Sequence, residues 1–441
     1  MPALIEKNIK PICDNICVKD NTLYFANQNV TELAEKYGTP LYLMDEDKIR
    51  ANCRRIKNAM NKNFGDKSEV LFASKACCFK RIYGIMADEN MFCDCVSCGE
   101  IYTALSAGFK AEHILFHSNN KTDEDICFAV DNGVYALVCD CKEELERASE
   151  IALEKGKVQN VLIRLTPGID PHTFEAVATG KIDSKFGFGI QTGAGEEAVK
   201  LALELKGIRL LGFHCHLGSQ IFESDVYLQG MDIMVGFISD MQRKYGYKTE
   251  ILDIGGGFGV RYTEEDAEID IPEMVDEIGD KIRSLIKKHG IEMPRIFTEP
   301  GRSIVADAGM TLYTVGSVKD IPEYRTYVSI DGGMTDNVRY AMYQSKYTFY
   351  NASRVSTDRS MKCTVAGRCC ESGDLLGEGI LLPEETKRGD ILAVATTGAY
   401  NYSMSSNYNR IPKPPIVMLK DGESYTAVKR QNYEDMMTLE L

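Results

Sequence analysis

The 441-residue sequence is marked first by what it lacks. No stretch approaches the roughly 18 uninterrupted apolar residues that a membrane-spanning helix needs. The opening residues, MPALIEKNIKPICDN, contain no continuous apolar segment of the kind an export signal carries. Positive charge is scarce. There are 51 Lys and Arg against 65 Asp and Glu, a net charge of −14. A chain this acidic is a poor partner for nucleic acid or an anionic membrane, although local basic sites for small anions stay open. There is no short exact repeat and no low-complexity segment. A cytoplasmic globular enzyme is the expectation, since 44% hydrophobic and 26% charged residues allow a sizeable core. At roughly 150 residues per domain, the length suggests about three domains, or one large barrel with a smaller domain.

The 15 cysteines are not read as disulfides, because a chain without an export signal meets a reducing compartment. Cys93, Cys95 and Cys98 lie in MFCDCVSCGE, and Cys139 and Cys141 in VCDCKE. No second CxxC or His pair stands at zinc-finger spacing. Cys93 and Cys95 share one face of an expected strand and read as small buried hydrophobes, so no metal is expected.

Short apolar strands alternate with helical stretches through the first two thirds of the chain. The expected strands are Val70–Ser74, Met91–Ser97, His113–His117, Tyr135–Asp140, Val161–Thr166, Leu210–His216, Glu250–Gly255 and Arg295–Glu299. Thr122 and Asp125 form a capping-box signature. Helices are expected over Cys141–Lys155, Glu196–Lys206 and Pro272–His289, each followed by glycine. Eight such units over about 250 residues predict an α/β chain with a (β/α)8 barrel, with an open doubly wound sheet as the alternative. After Gly309 the pattern turns to strands, at Met310–Val318, Thr326–Ile330, Met361–Ala366, Asp390–Thr396 and Ile416–Lys420. Asp421-Gly422 is a hairpin signal. The expected division is a segment over 1–40 joining the β domain, a barrel over 41–308 and a mostly β domain over 309–441. Within the first segment, Thr22–Ala26 reads as a strand and Thr31–Tyr37 as a helix ended by Gly38.

Chemistry-bearing residues fall at the C-terminal ends of the expected barrel strands, where barrels build their sites. Lys75 follows the first strand. It is a Schiff-base candidate, or a solvated loop lysine. His214 and His216 flank Cys215 and point the same way; a zinc pair, a ring stacked on a planar ligand and a hydrogen-bonded core histidine all fit. Gly255, Gly256 and Gly257 suit an anion or simply a tight turn, and match neither dinucleotide nor P-loop fingerprints. Glu299 and Arg302 flank a Pro-Gly turn. Beside the lysine, glycines and histidines they suit a phosphate-bearing cofactor, with Arg302 on an anion and Glu299 on a protonated ring nitrogen. In the β domain, Arg339, Tyr343, Cys370, Glu371 and Tyr400 are ordinary loop residues when taken singly.

Taken together, the motifs resemble the fold-type III pyridoxal-phosphate-dependent decarboxylases, most closely those acting on diaminopimelate. They are FASKA at 72–76, DxVSxGE at 94–100, TGKIDSKFG at 179–187 and HCHLGSQ at 214–220. DIGGGFG at 253–259, EPGRS at 299–303, CESGD at 370–374, and GAY with SSNYN near 398–409 complete the series. The resemblance runs from about Gly38 to Asn409. It implies pyridoxal 5'-phosphate as cofactor, carried on Lys75, with His216 stacked on its ring. It implies phosphate or neighbouring contacts from Ser219, Gly255, Gly256, Gly257, Arg302 and Tyr400, and Glu299 as the ring-nitrogen partner. Substrate would be held by Arg302, Arg339, Tyr343, Glu371 and Tyr400. Cys370 would come from the second subunit of a homodimer, as a catalytic thiol. The implied reaction takes meso-2,6-diaminopimelate to L-lysine and CO2. Two alternatives stand beside it: a relative acting on carboxynorspermidine or a basic amino acid, and a non-catalytic cofactor-binding protein. The sequence departs from the family at Phe174, usually His, at Tyr340, usually Pro, and at Asn401, usually Gly. Cys95 and Cys98 replace residues usually Val and Gly.

Overall fold

The structure, a computed structural model, describes residues 11–169 and 183–441. Among these, two compact units appear. One takes Asn52–Gly259 and Glu268–Ser303; the other takes 11–51, Val260–Ala267 and Ile304–Leu441.

The first unit is a closed parallel barrel. Its strands are Ser68–Ala73, Phe92–Cys95, Ile114–Phe116, Ala136–Cys139, Gln159–Thr166, Ile208–His214, Ile251–Asp253 and Arg295–Thr298. The last strand pairs with the first, and Ala136–Cys139 pairs with Gln159–Thr166, which closes the ring. All eight expected strands are present. They are short and apolar because each is buried on both faces, by the barrel interior and by the surrounding helices. Leu71, Leu115, Val138, Leu162, Leu211, Ile251 and Phe297 pack as one cluster. The open-sheet alternative is thereby set aside.

Helix ends follow local chemistry. The Thr122–Asp125 capping box is formed in full and Gly133 ends that helix in the left-handed conformation. Helix Ile271–His289 starts at Asp270, whose side chain accepts from the Glu273 N–H, and stops at Gly290. Helix Ala194–Glu204 ends two residues earlier than expected, so Gly207 is not its cap. Gly207 instead lies against another helix, where a Cβ would stand 2.0 Å from the Ser149 carbonyl oxygen.

The second unit is mostly β. Its main sheet runs in the order Leu375–Leu382, Met361–Ala366, Arg325–Ile330, Gly309–Ile321, Leu41–Asp45, Ile416–Lys420, Glu423–Val428, with Ile391–Ala395 and Phe349–Asn351 attached. Leu41–Asp45 lies in the stretch assigned to the barrel from sequence. It pairs instead with Gly309–Ile321 and Ile416–Lys420. The Asp421-Gly422 hairpin is present, with φ of 49° and 78°, as a two-residue turn of primed type demands. Strand Thr22–Phe25 and helix Val30–Tyr37 bury Leu23, Phe25, Val30 and Leu33 in this unit's core.

Candidate active site

The barrel places its polar residues by a rule of two. Alternate residues of a strand share a face. Phe92, Leu115, Val138, Leu162, Ile251 and Phe297 belong to or pack on the inner apolar cluster. Two residues on from each stand Asp94, His117, Asp140, Arg164, Asp253 and Glu299, all buried. A polar layer therefore sits one step above the apolar plug, at the C-terminal ends of the strands.

Glu299 is the centre of this layer. His117 Nε2 lies 2.7 Å from Glu299 Oε1, with the ring turned off the line of a good hydrogen bond. His214 Nε2 lies 3.2 Å from Glu299 Oε2 and hydrogen-bonds it. Burial works against the Glu299 charge, but the two imidazoles outweigh it and hold the carboxyl well below the usual range. Its neighbours go the other way. Burial, then the field of Glu299, pushes Asp253 well up, and burial raises Asp94 against the pull of His117. Burial lowers His214 to about 3, so its ring is neutral.

Lys75 lies in the turn Ser74–Ala76 directly after the first strand. Its side chain is 42% exposed, and its amine stands 3.8 Å from Asp94 Oδ2. His216 is half-buried, two residues past the strand that ends at His214, and its Nδ1 accepts from the Gly256 N–H at 3.3 Å. Burial, then the nearby Lys75 charge, lowers its pKa strongly, so it too is neutral. Arg302 is buried and donates from Nη2 to Ser219 Oγ at 3.0 Å. The glycine run is dictated by close backbone approach. A Cβ at Gly255 would stand 2.5 Å from the Cys215 carbonyl, and one at Gly257 2.3 Å from that of Gly218. Gly255 and Gly257 also have φ of 68° and 112°.

The second unit gathers its own set. The Arg339 guanidinium lies 5.5 Å from the Tyr343 ring and 5.2 Å from the Tyr400 ring. Cys370 and Glu371 are exposed in the turn before strand Leu375–Leu382. That turn is anchored by Asp374, which accepts from the Met334 N–H at 2.5 Å and the Cys369 N–H at 2.7 Å. Tyr340 and Asn401, two of the departures, find partners. Tyr340 donates to Glu378 Oε2 at 3.1 Å, and Asn401 donates to the Thr397 carbonyl at 3.0 Å. Phe174 and much of the TGKIDSKFG motif lie outside the described residues.

Sequence reasoning singled out Lys75, His216, Ser219, Gly255–Gly257, Glu299 and Arg302, and the barrel unit carries all of them. It missed His117, Asp94 and Arg164. The available signal was a polar residue two positions beyond an inward apolar one. The Cys93 and Cys95 thiols are fully buried, with 3.8 Å between the sulfurs. Cys98 turns away to the Asp125 carbonyl, so the three do not converge as ligands.

The family described as pyridoxal-dependent decarboxylase, pyridoxal binding domain, matches residues 46–306. Diaminopimelate decarboxylase of Bacillus subtilis is 44% identical over 409 residues, 93% of each chain. That of Staphylococcus aureus is 42% identical over 92% of this chain and 94% of its own. The chain belongs to the diaminopimelate decarboxylase family. Crystal structures of family members agree. The M. jannaschii diaminopimelate decarboxylase in co-complex with L-lysine superposes with a TM-score of 0.90 at 31% identity, covering 98% of this chain and 99% of that one. The Helicobacter pylori enzyme complexed with L-lysine gives 0.85 at 30% identity, covering 93% and 99%.

The cofactor of this family's domain is pyridoxal 5'-phosphate, and the barrel's donor set fits it. An accessible amine, a neutral imidazole, an ionised buried carboxylate and a guanidinium paired with a hydroxyl answer its carbonyl, ring face, ring nitrogen and phosphate. Ser303 Oγ, next to Arg302, is buried with no hydrogen-bond partner among the described residues. A buried orphan of this kind beside an arginine suits a further anionic oxygen.

Proposed function

We propose that this chain decarboxylates meso-2,6-diaminopimelate to L-lysine and CO2, the last step of lysine formation by that route. The observation that carries the reading is Glu299. In a chain of this family, it is a buried carboxylate held ionised beside a lysine-bearing barrel mouth. When bound, pyridoxal phosphate supplies an electron sink for the carbon that loses CO2, and the sink is strongest with its ring nitrogen protonated. Glu299 would keep that proton in place. A racemase would want a weaker sink, with an arginine at that position. Lys75 Nζ would bind the cofactor and then yield it to the substrate amine. His216 would face the ring, and Arg302 with Ser219 would take the phosphate. Arg302 and Arg339 would receive the distal carboxylate, Glu371 the distal ammonium, and Tyr343 and Tyr400 would line the guanidinium. Clamping that end is what orients the scissile bond. The proton returned to carbon would come from Cys370 Sγ or Lys75 Nζ.

Exposure of Cys370 and Glu371 on an anchored turn supports a homodimer in which each chain lends these residues to its partner's barrel. We also place the enzyme in the cytoplasm. Among the described residues no helix is long and apolar enough to cross a membrane.

The test is product analysis. The purified chain with pyridoxal phosphate is given meso-diaminopimelate, carboxynorspermidine, lysine and ornithine separately. Equimolar CO2 and L-lysine from the first alone is expected. CO2 chiefly from another substrate, or from none, would overturn the assignment.

A further inference from the structure

Four carboxylates, Asp94, Asp140, Asp253 and Glu299, are buried in the polar layer of the barrel. Burial raises the pKa of Asp94 and Asp253, whereas that of Glu299 is lowered despite its burial. What distinguishes Glu299 is one imidazole at each oxygen. His117 stands immediately after the third strand and His214 ends the sixth, so two separate strands converge on this one side chain. The rings meet edge to face, with centroids 4.7 Å apart and planes at 71°. Both rings are at most 5% exposed.

The roles of the nitrogens follow. A neutral His214 hydrogen-bonded to a carboxylate must carry its proton on Nε2, because a bare nitrogen there would face a lone pair. Its Nδ1 is buried with no hydrogen-bond partner among the described residues, a situation a bare nitrogen tolerates better than an N–H would. His117 is fixed from the other side, where its backbone N–H donates to the Cys95 carbonyl at 2.8 Å. Its Nε2 is also 3.8 Å from Asp94 Oδ1, so it stands between two carboxylates and much nearer to Glu299.

We propose that His117 and His214 are positioning residues for the decarboxylation, fixing the orientation and charge of Glu299 from its two oxygens. The proposal rests on the reading of Glu299 as the ring-nitrogen partner. It assigns His214 the neutral Nε2–H form and makes the pair act through Glu299 rather than on substrate. The three donor atoms lie within 4.8 Å of one another, so a bound cation is the rival occupant of the cluster.

The test has one arm that needs no turnover. In the cofactor-free chain, nitrogen-15 NMR of labelled histidines, assigned with His214→Gln, should show His214 neutral with its proton on Nε2 from about pH 5 to 8, the state expected of an imidazole well below its ordinary pKa of about 6.5. A protonated ring, or the proton on Nδ1, overturns the geometry whatever the enzyme's substrate proves to be. Elemental analysis showing a stoichiometric metal would overturn it too. The second arm is a cycle. His214→Leu, which removes a hydrogen bond to a charge, should lower kcat roughly 10- to 100-fold, and His117→Leu, which removes a close polar contact with the other oxygen, should lower it by about tenfold, each with KM changed less than about threefold. His214→Gln, which keeps an N–H near the Nε2 position, should restore most of the loss. In a Glu299→Gln background the same leucine changes should cost less than about twofold. Equal losses in both backgrounds would mean the histidines act elsewhere. If the leucine variants do not fold, His117→Gln and His214→Gln in the two backgrounds, together with the NMR arm, decide the question.

Discussion

Lys75 and Cys370 carry the two most reactive side chains assigned to the chemistry, and the chain treats them in opposite ways. Lys75 sits at a strand end with its amine 3.8 Å from Asp94 Oδ2. Asp94 belongs to the buried polar layer with His117, Asp140, Arg164, His214, Asp253 and Glu299, and the rim of that barrel is tied together. Lys121 Nζ contacts Glu144 Oε1 at 2.5 Å and the Val138 carbonyl at 2.7 Å. Glu144 Oε2 accepts from the Asp140 N–H, and Asp140 from that of Gly187. Cys370 stands exposed on a turn whose anchors, Cys369 and Asp374, are buried. Its own bond is from its backbone N–H to Asn409 Oδ1 at 2.7 Å. The turn is rigidly held, while the thiol and the Glu371 carboxylate are offered outward. A barrel mouth that holds a lysine and a presented pair of side chains are what a shared site requires of each chain.

The sharpest break in the comparison is at Lys75. Lys75→Ala should remove activity altogether, and borohydride should no longer fix the cofactor to the chain, as peptide mass mapping would show. Fixation at another lysine would remove Lys75 from its role. The rim should respond next. Lys121→Met leaves Glu144 buried without its cation, which costs about 3–5 kcal/mol in chemical denaturation. The exposed pair Lys346–Glu265 in the other unit is the control, and Lys346→Ala should leave stability unchanged within error. Glu299→Gln should keep the cofactor bound and slow turnover about 10²–10³-fold, worth about 2.7–4 kcal/mol of electrostatic stabilisation, with kcat as the readout. The smallest effect is none. Chelators should leave activity and stability unchanged, because the Cys93, Cys95 and Cys98 sulfurs do not converge. Unfolding on chelation would reverse that.

Much of the barrel was legible because its signals are local. Short apolar runs, caps and glycines fall where period and turn chemistry put them, and HCHLGSQ and EPGRS stand at strand ends. What escaped the sequence is non-local. His117 reads as the end of one strand, and nothing in its own segment says that Glu299, 182 positions on, is its partner. Leu375–Leu382, LLGEGILL, hides as a strand because two glycines interrupt it, Gly379 with φ of 69°. Phe349–Asn351 is three residues long, too short to show a period. Leu41–Asp45 is fully buried like a barrel strand, and only its pairing partners reveal which sheet it joins.

The central claim, that the site is completed by a second chain, has a direct test in subunit exchange. Lys75→Ala and Cys370→Ala chains, each inactive or weak alone, are mixed in equal amounts and allowed to exchange. In a mixed dimer of two-fold symmetry, one site carries both defects and the other carries neither. Half the dimers are mixed, so about a quarter of all sites should regain wild-type activity. Recovery near that level is the predicted result. No recovery, with mixed dimers verified by mass spectrometry, would mean that Lys75 and Cys370 serve one site from one chain, and would contradict the account.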